Sequence, residues 1–115
     1  LGLGETITFT GYRYDVRDIM ATSCVVLSLS LLPEAFGRTV NEALSLHVPV
    51  AGYAHGGVGE QLARHFPAGA VTPGDTDAMV DRLLAWHAEP PAMQGVNAYT
   101  LTDMLAYTLA LYHSL

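Results

Sequence analysis

Apolar positions along this chain alternate between two spacings: short β-branched runs that suit strands, and steps of three and four that suit helices. Thr6 to Thr10, TITFT, reads as a strand closed by Gly11. Asp15 stands as N-cap to a short helix over Val16 to Thr22, with Val16, Ile19 and Met20 on one face. Cys24 to Ser30 is an apolar run relieved only by serines, the pattern of a strand covered on both faces. Pro33 to Gly37 is a loop, and Thr39 to Leu46 a short helix with Val40, Ala43 and Leu44 on its inner face. His47 falls near that helix's C-terminus, where a cation suits the dipole.

Val48 to Tyr53 is the next strand, with Pro49 near its start. His55 to Gly59 reads as a Gly-rich turn, and a helix runs from about Glu60 to His65. Gly69 to Thr72 is a short strand, and Pro73-Gly74-Asp75 a turn that ends on a second N-cap. Thr76 to Ala88 is a helix with Met79, Leu83 and Trp86 turned inward, stopped by Pro90-Pro91. Leu1 to Glu5 reads as the end of a linker and Met93 to Thr100 as irregular. A last helix, headed by Thr102, carries Leu101, Leu105, Leu109 and Tyr112 as one apolar stripe. Strands of buried type alternating with helices predict an α/β fold with a doubly wound parallel sheet.

Composition narrows the function. The 115 residues make one domain, and its hydrophobic half with only 14% charged residues excludes disorder. So low a charge in a small domain points to apolar surface that meets another domain. A net charge of −6, no Lys and five scattered Arg argue against nucleic-acid binding. The single cysteine, Cys24, forms no internal disulfide and reads as a small buried hydrophobe in a reducing compartment. No apolar run reaches the roughly 20 residues of a membrane span, and no stretch reads as a signal peptide. The chain opens at LGLG without an initiator Met and reads as an excised domain. Five histidines show neither HExxH spacing nor a Cys partner, so no metal site is expected.

Candidate chemistry gathers between Val25 and Gly59. In open α/β sheets, ligands sit beyond the carboxyl ends of the strands, against helix N-termini. The helix near Thr39 offers unpaired amides and a dipole that favour an anion. Gly37 removes a Cβ where a phosphate comes close, Thr39 adds a hydroxyl, and Arg38 either adds charge or points to solvent. Glu42 lies one turn inside, and an ionised carboxylate matches the two vicinal hydroxyls of a ribose. Glu34 sits on the preceding loop, where it suits sugar hydroxyls or developing positive charge at an anomeric carbon. Each residue has a plainer reading. Thr39 to Glu42 is also a capping box, which taken alone is the better account of Glu42. Gly37 and Gly56-Gly57 are also simple turns, and Glu34 a solvated loop residue. The Gly57-x-Gly59 pair lacks the third glycine of a dinucleotide fingerprint.

Together the pieces are more specific. The stretch SLLPEAFGRTVNEALSLHVPVAGYAHGGVGEQL resembles the signature of the retaining glycosyltransferases of group 1, also called family 4. That signature is a strand ending in Ser, then E-x-F-G, E-A-hydrophobic, a G-x-P-V strand and G-G-x-x-E. The matching residues are Ser30, Glu34, Phe36, Gly37, Glu42, Ala43, Pro49, Val50, Gly56, Gly57 and Glu60. Phe9, Thr10, Gly11, the Asp15 helix and Gly69 to Asp75 are also similar to that family, so the likeness covers nearly the whole chain.

The resemblance implies a GT-B enzyme, two Rossmann-like domains facing across a cleft, of which residues 1–115 are the C-terminal, donor-binding one. By the family pattern, Glu34 contacts the transferred sugar and is the catalytic residue. The diphosphate falls to amides around Phe36, Gly37, Arg38 and Thr39, the ribose to Glu42, and Ser30, Gly56 and Gly57 complete the donor site. Transfer from a nucleotide-diphosphate sugar keeps the anomeric configuration and needs no metal or cofactor. The expected partners are the donor and the missing N-terminal domain, with peripheral membrane association of the full enzyme at the cytoplasmic face of the inner membrane. The expected setting is cytoplasmic synthesis of polysaccharide or glycolipid. The fragment's apolar stripe predicts exposed apolar surface or a homodimer.

Two departures stand out. His47 replaces the glycine of the family's G-x-P-V segment, so the preceding helix is expected to lack its left-handed end residue. The family's Arg and Lys that neutralise the leaving diphosphate lie upstream of this segment, so the chain alone is expected not to catalyse. A non-catalytic α/β interaction module on the same scaffold is the alternative function, and an epimerase of the same architecture a weaker third.

Overall fold

A computed structural model describes residues 6–11, 13–93, 95–96 and 100–113. Helix α1 (Val16–Ala21) leads into strand β1 (Val26–Ser28), followed by α2 (Arg38–Ser45), β2 (Val50–Tyr53) and α3 (Gly56–His65). A 3₁₀ turn (Pro67–Gly69), strand β3 (Ala70–Val71), α4 (Thr76–Ala88) and α5 (Leu101–His113) complete the order. The strands form a parallel sheet in the order β1-β2-β3. Val26 stands beside Val50 and Ser28 beside Gly52, which in turn stands beside Ala70.

The central strand β2 is buried throughout, as a parallel strand between two helical layers must be. Successive side chains leave it on opposite faces. Val50 packs with Met20 of α1, Val40, Ala43 and Leu44 of α2, and Val58 and Leu62 of α3. Ala51 and Tyr53 pack with Val71 and with Met79 of α4 on the other face. Trp86 touches both clusters, and its ring tilts at 45° against that of Phe66 with centroids 5.7 Å apart. The alternating pattern thus yields the expected Rossmann-like α/β arrangement, with α4 spanning Thr76–Ala88 and Asp75 Oδ1 accepting from the Ala78 amide at 3.0 Å.

Several expectations are corrected. Residues 6–10 form no strand: they pair with none of the three, and Ile7 and Phe9 are exposed. A parallel strand exists only through its neighbour, so β-propensity alone does not make one. Asp15 precedes α1 but makes no side-chain cap. Instead Arg13 holds its carboxylate through two 2.6 Å bonds. The expected two-faced strand from Cys24 to Ser30 shortens to β1, with Leu27 41% exposed. Leu27 shares a face with Ala51 by register, and α4 covers β2 and β3 on that face rather than β1. Cys24 is exposed, not buried.

The glycines at 56–59 are not a turn but the opening of α3. His47 is itself left-handed, with φ of 57°, and donates to Leu44 O at 3.0 Å, so α2 keeps its left-handed end without glycine. In α5, Leu105 and Leu109 are more than half exposed, while the side chains of Leu101 and Tyr112 lie outside the described residues, as do residues 1–5.

Candidate functional site

The loop after β1 and the tip of α2 meet the first turn of α3. Gly37 is buried, occupies the N-cap of α2 at φ 79°, and brings no side chain over the helix end. The first intrahelical bond runs from Asn41 N to Gly37 O at 3.2 Å, so the amides of Arg38, Thr39 and Val40 precede the ladder. With the helix dipole behind them, they form an anion-receptive end. Arg38 and Thr39 are both exposed there.

Thr39 is the second helical residue, so Thr39 and Glu42 do not form the capping box that the spacing allowed. Glu42 lies one turn in, and its Oε1 accepts from Arg17 Nη1 of α1 at 3.4 Å, with both side chains about half exposed. An exposed pair of that length contributes under about 1 kcal/mol and is readily exchanged for another partner.

Glu34 and Phe36 rest on α3. Gly57 N donates to Glu34 O at 2.6 Å. A Cβ on Gly56 would meet Glu34 O at 2.6 Å, and one on Gly57 would meet the Phe36 Cα at 2.5 Å. The two glycines therefore allow the Glu34 loop to sit directly on the helix. The Glu34 side chain itself is exposed. Ser30 Oγ closes a tight turn with Leu32, donating to its carbonyl at 3.0 Å. The Ser30 carbonyl lies 2.8 Å from His55 Nε2, which must carry the proton because a carbonyl only accepts.

The sequence reading missed Gln61. It is 1% exposed, and its Nε2 donates to both Phe36 O and Gly37 O, the latter at 2.9 Å. Its Oε1 is buried with no partner among the described residues. The available signal was one polar residue between Val58 and Leu62 on an otherwise apolar helix face. Of the predicted residues, Glu34, Phe36 and Gly37 thus come together with Gly56 and Gly57. Arg38 and Thr39 flank the tip, Ser30 joins through His55, and Glu42 faces α1. Among the described residues, no three His, Cys, Asp or Glu side chains gather as metal ligands.

This defines a class: a Rossmann-like α/β domain with an open helix N-terminus beyond the carboxyl end of a parallel strand. Within that class the chain matches the glycosyl transferases group 1 over residues 1–100 and belongs to that family. No curated protein matches it. It is similar to the crystal structure of Anabaena Alr3699/HepE in complex with UDP-glucose, at 28% identity and a TM-score of 0.73. The match covers 96% of this chain and 34% of that one, so the chain spans about a third of that protein's length.

Proposed function

We propose that this chain is the donor-binding, C-terminal domain of a retaining, metal-independent GT-B glycosyltransferase. The enzyme moves a sugar from a nucleotide-diphosphate donor to an acceptor held by a separate N-terminal domain. The observation that carries this reading is the α2 tip: left-handed Gly37 leaves it uncapped by any side chain, with Glu34 on the loop before it and Glu42 one turn in. Family membership and the UDP-glucose complex of the similar structure support it.

In this reading the diphosphate takes the amides at residues 36–39 with the Thr39 hydroxyl and the Arg38 charge. Glu42 exchanges Arg17 for the ribose diol. Glu34 faces the transferred sugar, whose anomeric C–O bond to the diphosphate breaks as a bond to the acceptor oxygen forms on the same face, the acceptor hydroxyl's proton leaving with the diphosphate. Ser30, Gly56 and Gly57 frame the donor from below. The isolated chain binds donor without transferring it, because the cations that neutralise the leaving diphosphate belong upstream. The parent enzyme acts in polysaccharide or glycolipid synthesis at the cytoplasmic face of a membrane.

Titration of the chain with UDP-, GDP- and ADP-sugars tests the proposal. Saturable binding to at least one donor, weakened by Glu42→Ala with unchanged circular dichroism, is the expected result. No binding to any of them overturns it.

A further inference from the structure

We propose that Gln61 is a positioning residue that aims two backbone amides at the donor's diphosphate, an inference that rests on the donor-domain reading above. Gln61 lies on α3, its side chain is buried, and it holds two consecutive carbonyls, Phe36 O and Gly37 O. In a trans peptide the N–H points opposite to the C=O. Drawing the Phe36 carbonyl toward α3 therefore turns the Gly37 amide away from it. Drawing in the Gly37 carbonyl does the same for the Arg38 amide. Neither amide has a partner among the described residues. Successive amides around a left-handed residue form a concave anion site, and Gly37 has φ of 79°.

The pieces depend on one another. A Cβ on Gly37 would stand 3.3 Å from Gln61 Nε2 and 2.9 Å from Val58 Cγ2, so the glycine makes room for the amide that orients it. The side chain's orientation is fixed as well, since the opposite flip would set Oε1 against two carbonyl oxygens. In the observed orientation Oε1 is left buried without a donor. A buried acceptor without a partner is costly, and the glutamine bears that cost while its Nε2 holds the carbonyls of Phe36 and Gly37. Those two bonds fix the direction of the two peptide groups that open the α2 tip.

The test compares UDP with uridine, and ADP with adenosine and GDP with guanosine in parallel, by NMR titration of wild type and Gln61→Met. The wild type binds one diphosphate more tightly than its nucleoside. In Gln61→Met that ratio falls about tenfold while nucleoside affinity holds, since two orienting bonds are lost and the base and ribose contacts are not. Equal weakening of both ligands marks a merely structural role and overturns the inference. So does an unchanged ratio, which leaves the donor reading standing. A wild type that binds no diphosphate overturns both. Should the variant fail to fold, the wild-type Gly37 and Arg38 amide resonances decide: a shift with the diphosphate and not with the nucleoside supports the inference, and no shift overturns it.

Discussion

Gly57 donates its amide to the carbonyl oxygen of Glu34 at 2.6 Å, and a β-carbon on Gly57 would lie 2.5 Å from the Cα of Phe36. The loop that carries both predicted sugar and phosphate contacts is therefore seated by a helix twenty residues further on.

Gly57→Ala sets two effects against each other. Alanine favours a helix by about 1 kcal/mol over glycine. The added methyl meets main-chain atoms that cannot rotate away, and overpacking of this kind costs about 1–3 kcal/mol. The clash wins. Urea unfolding should show a lower midpoint, and donor titration a weaker affinity, because the Glu34 loop is lifted from its seat.

Arg17 and Glu42 give opposite results. Removing Arg17 frees the carboxylate from a 3.4 Å exposed pair. Such a pair is worth at most about 1 kcal/mol, so Arg17→Ala should tighten nucleotide binding by no more than about fivefold. Glu42→Ala removes an ionised acceptor and should weaken binding about tenfold or more. Calorimetric titration of both variants checks the pair, and neither should change the unfolding free energy by more than about 1 kcal/mol.

His47 holds a left-handed conformation, φ 57°, that costs an L-residue about 1–2 kcal/mol. His47→Gly relieves that strain and adds chain entropy to the unfolded state. A net gain of about 0.5–1 kcal/mol in chemical denaturation is expected, with donor affinity unchanged because His47 lies at the far end of α2 from the site.

The Arg13 guanidinium holds the Asp15 carboxyl below the usual carboxylate range, and Asp15 in turn raises Arg13. A depressed acid contributes stability that is present above its unfolded-state value and is lost as pH falls through its folded-state value. The stabilisation should thus disappear on acidification below the ordinary aspartate range. Both side chains are open to solvent, at 44% and 43% exposure, so added salt should shrink it. In carboxyl NMR titration the Asp15 midpoint should rise in Arg13→Ala.

Elements whose causes are local were legible in the chain. Helix α4 begins after its Asp75 cap and stops before Pro90-Pro91, with bounds that cap, period and breaker together predict. The inner face of α2 was equally plain, since Val40, Ala43 and Leu44 repeat at helical spacing and are all buried. What could not be read depends on partners distant in sequence. Thr6 to Thr10 has strand composition but no adjoining strand among the described residues. Gly56 and Gly57 have turn composition, yet they open a helix, and their missing side chains serve the close approach of the Glu34 loop. Gln61 is set apart only by its bonds to the carbonyls of Phe36 and Gly37, which lie on another element. At the site, residue types suited to a phosphate and a diol could be picked out, while the uncapped tip and the Arg17 contact belong to the folded chain alone.

Cys24 is the one thiol in the sequence, and it is exposed just ahead of β1. A maleimide dye would therefore attach at a single known place. Ser30 leaves the opposite end of that strand, at most about 20 Å of extended backbone away. A fluorophore there would be near enough to report on ligand arrival at the α2 tip by energy transfer or quenching, and far enough to leave the tip unobstructed.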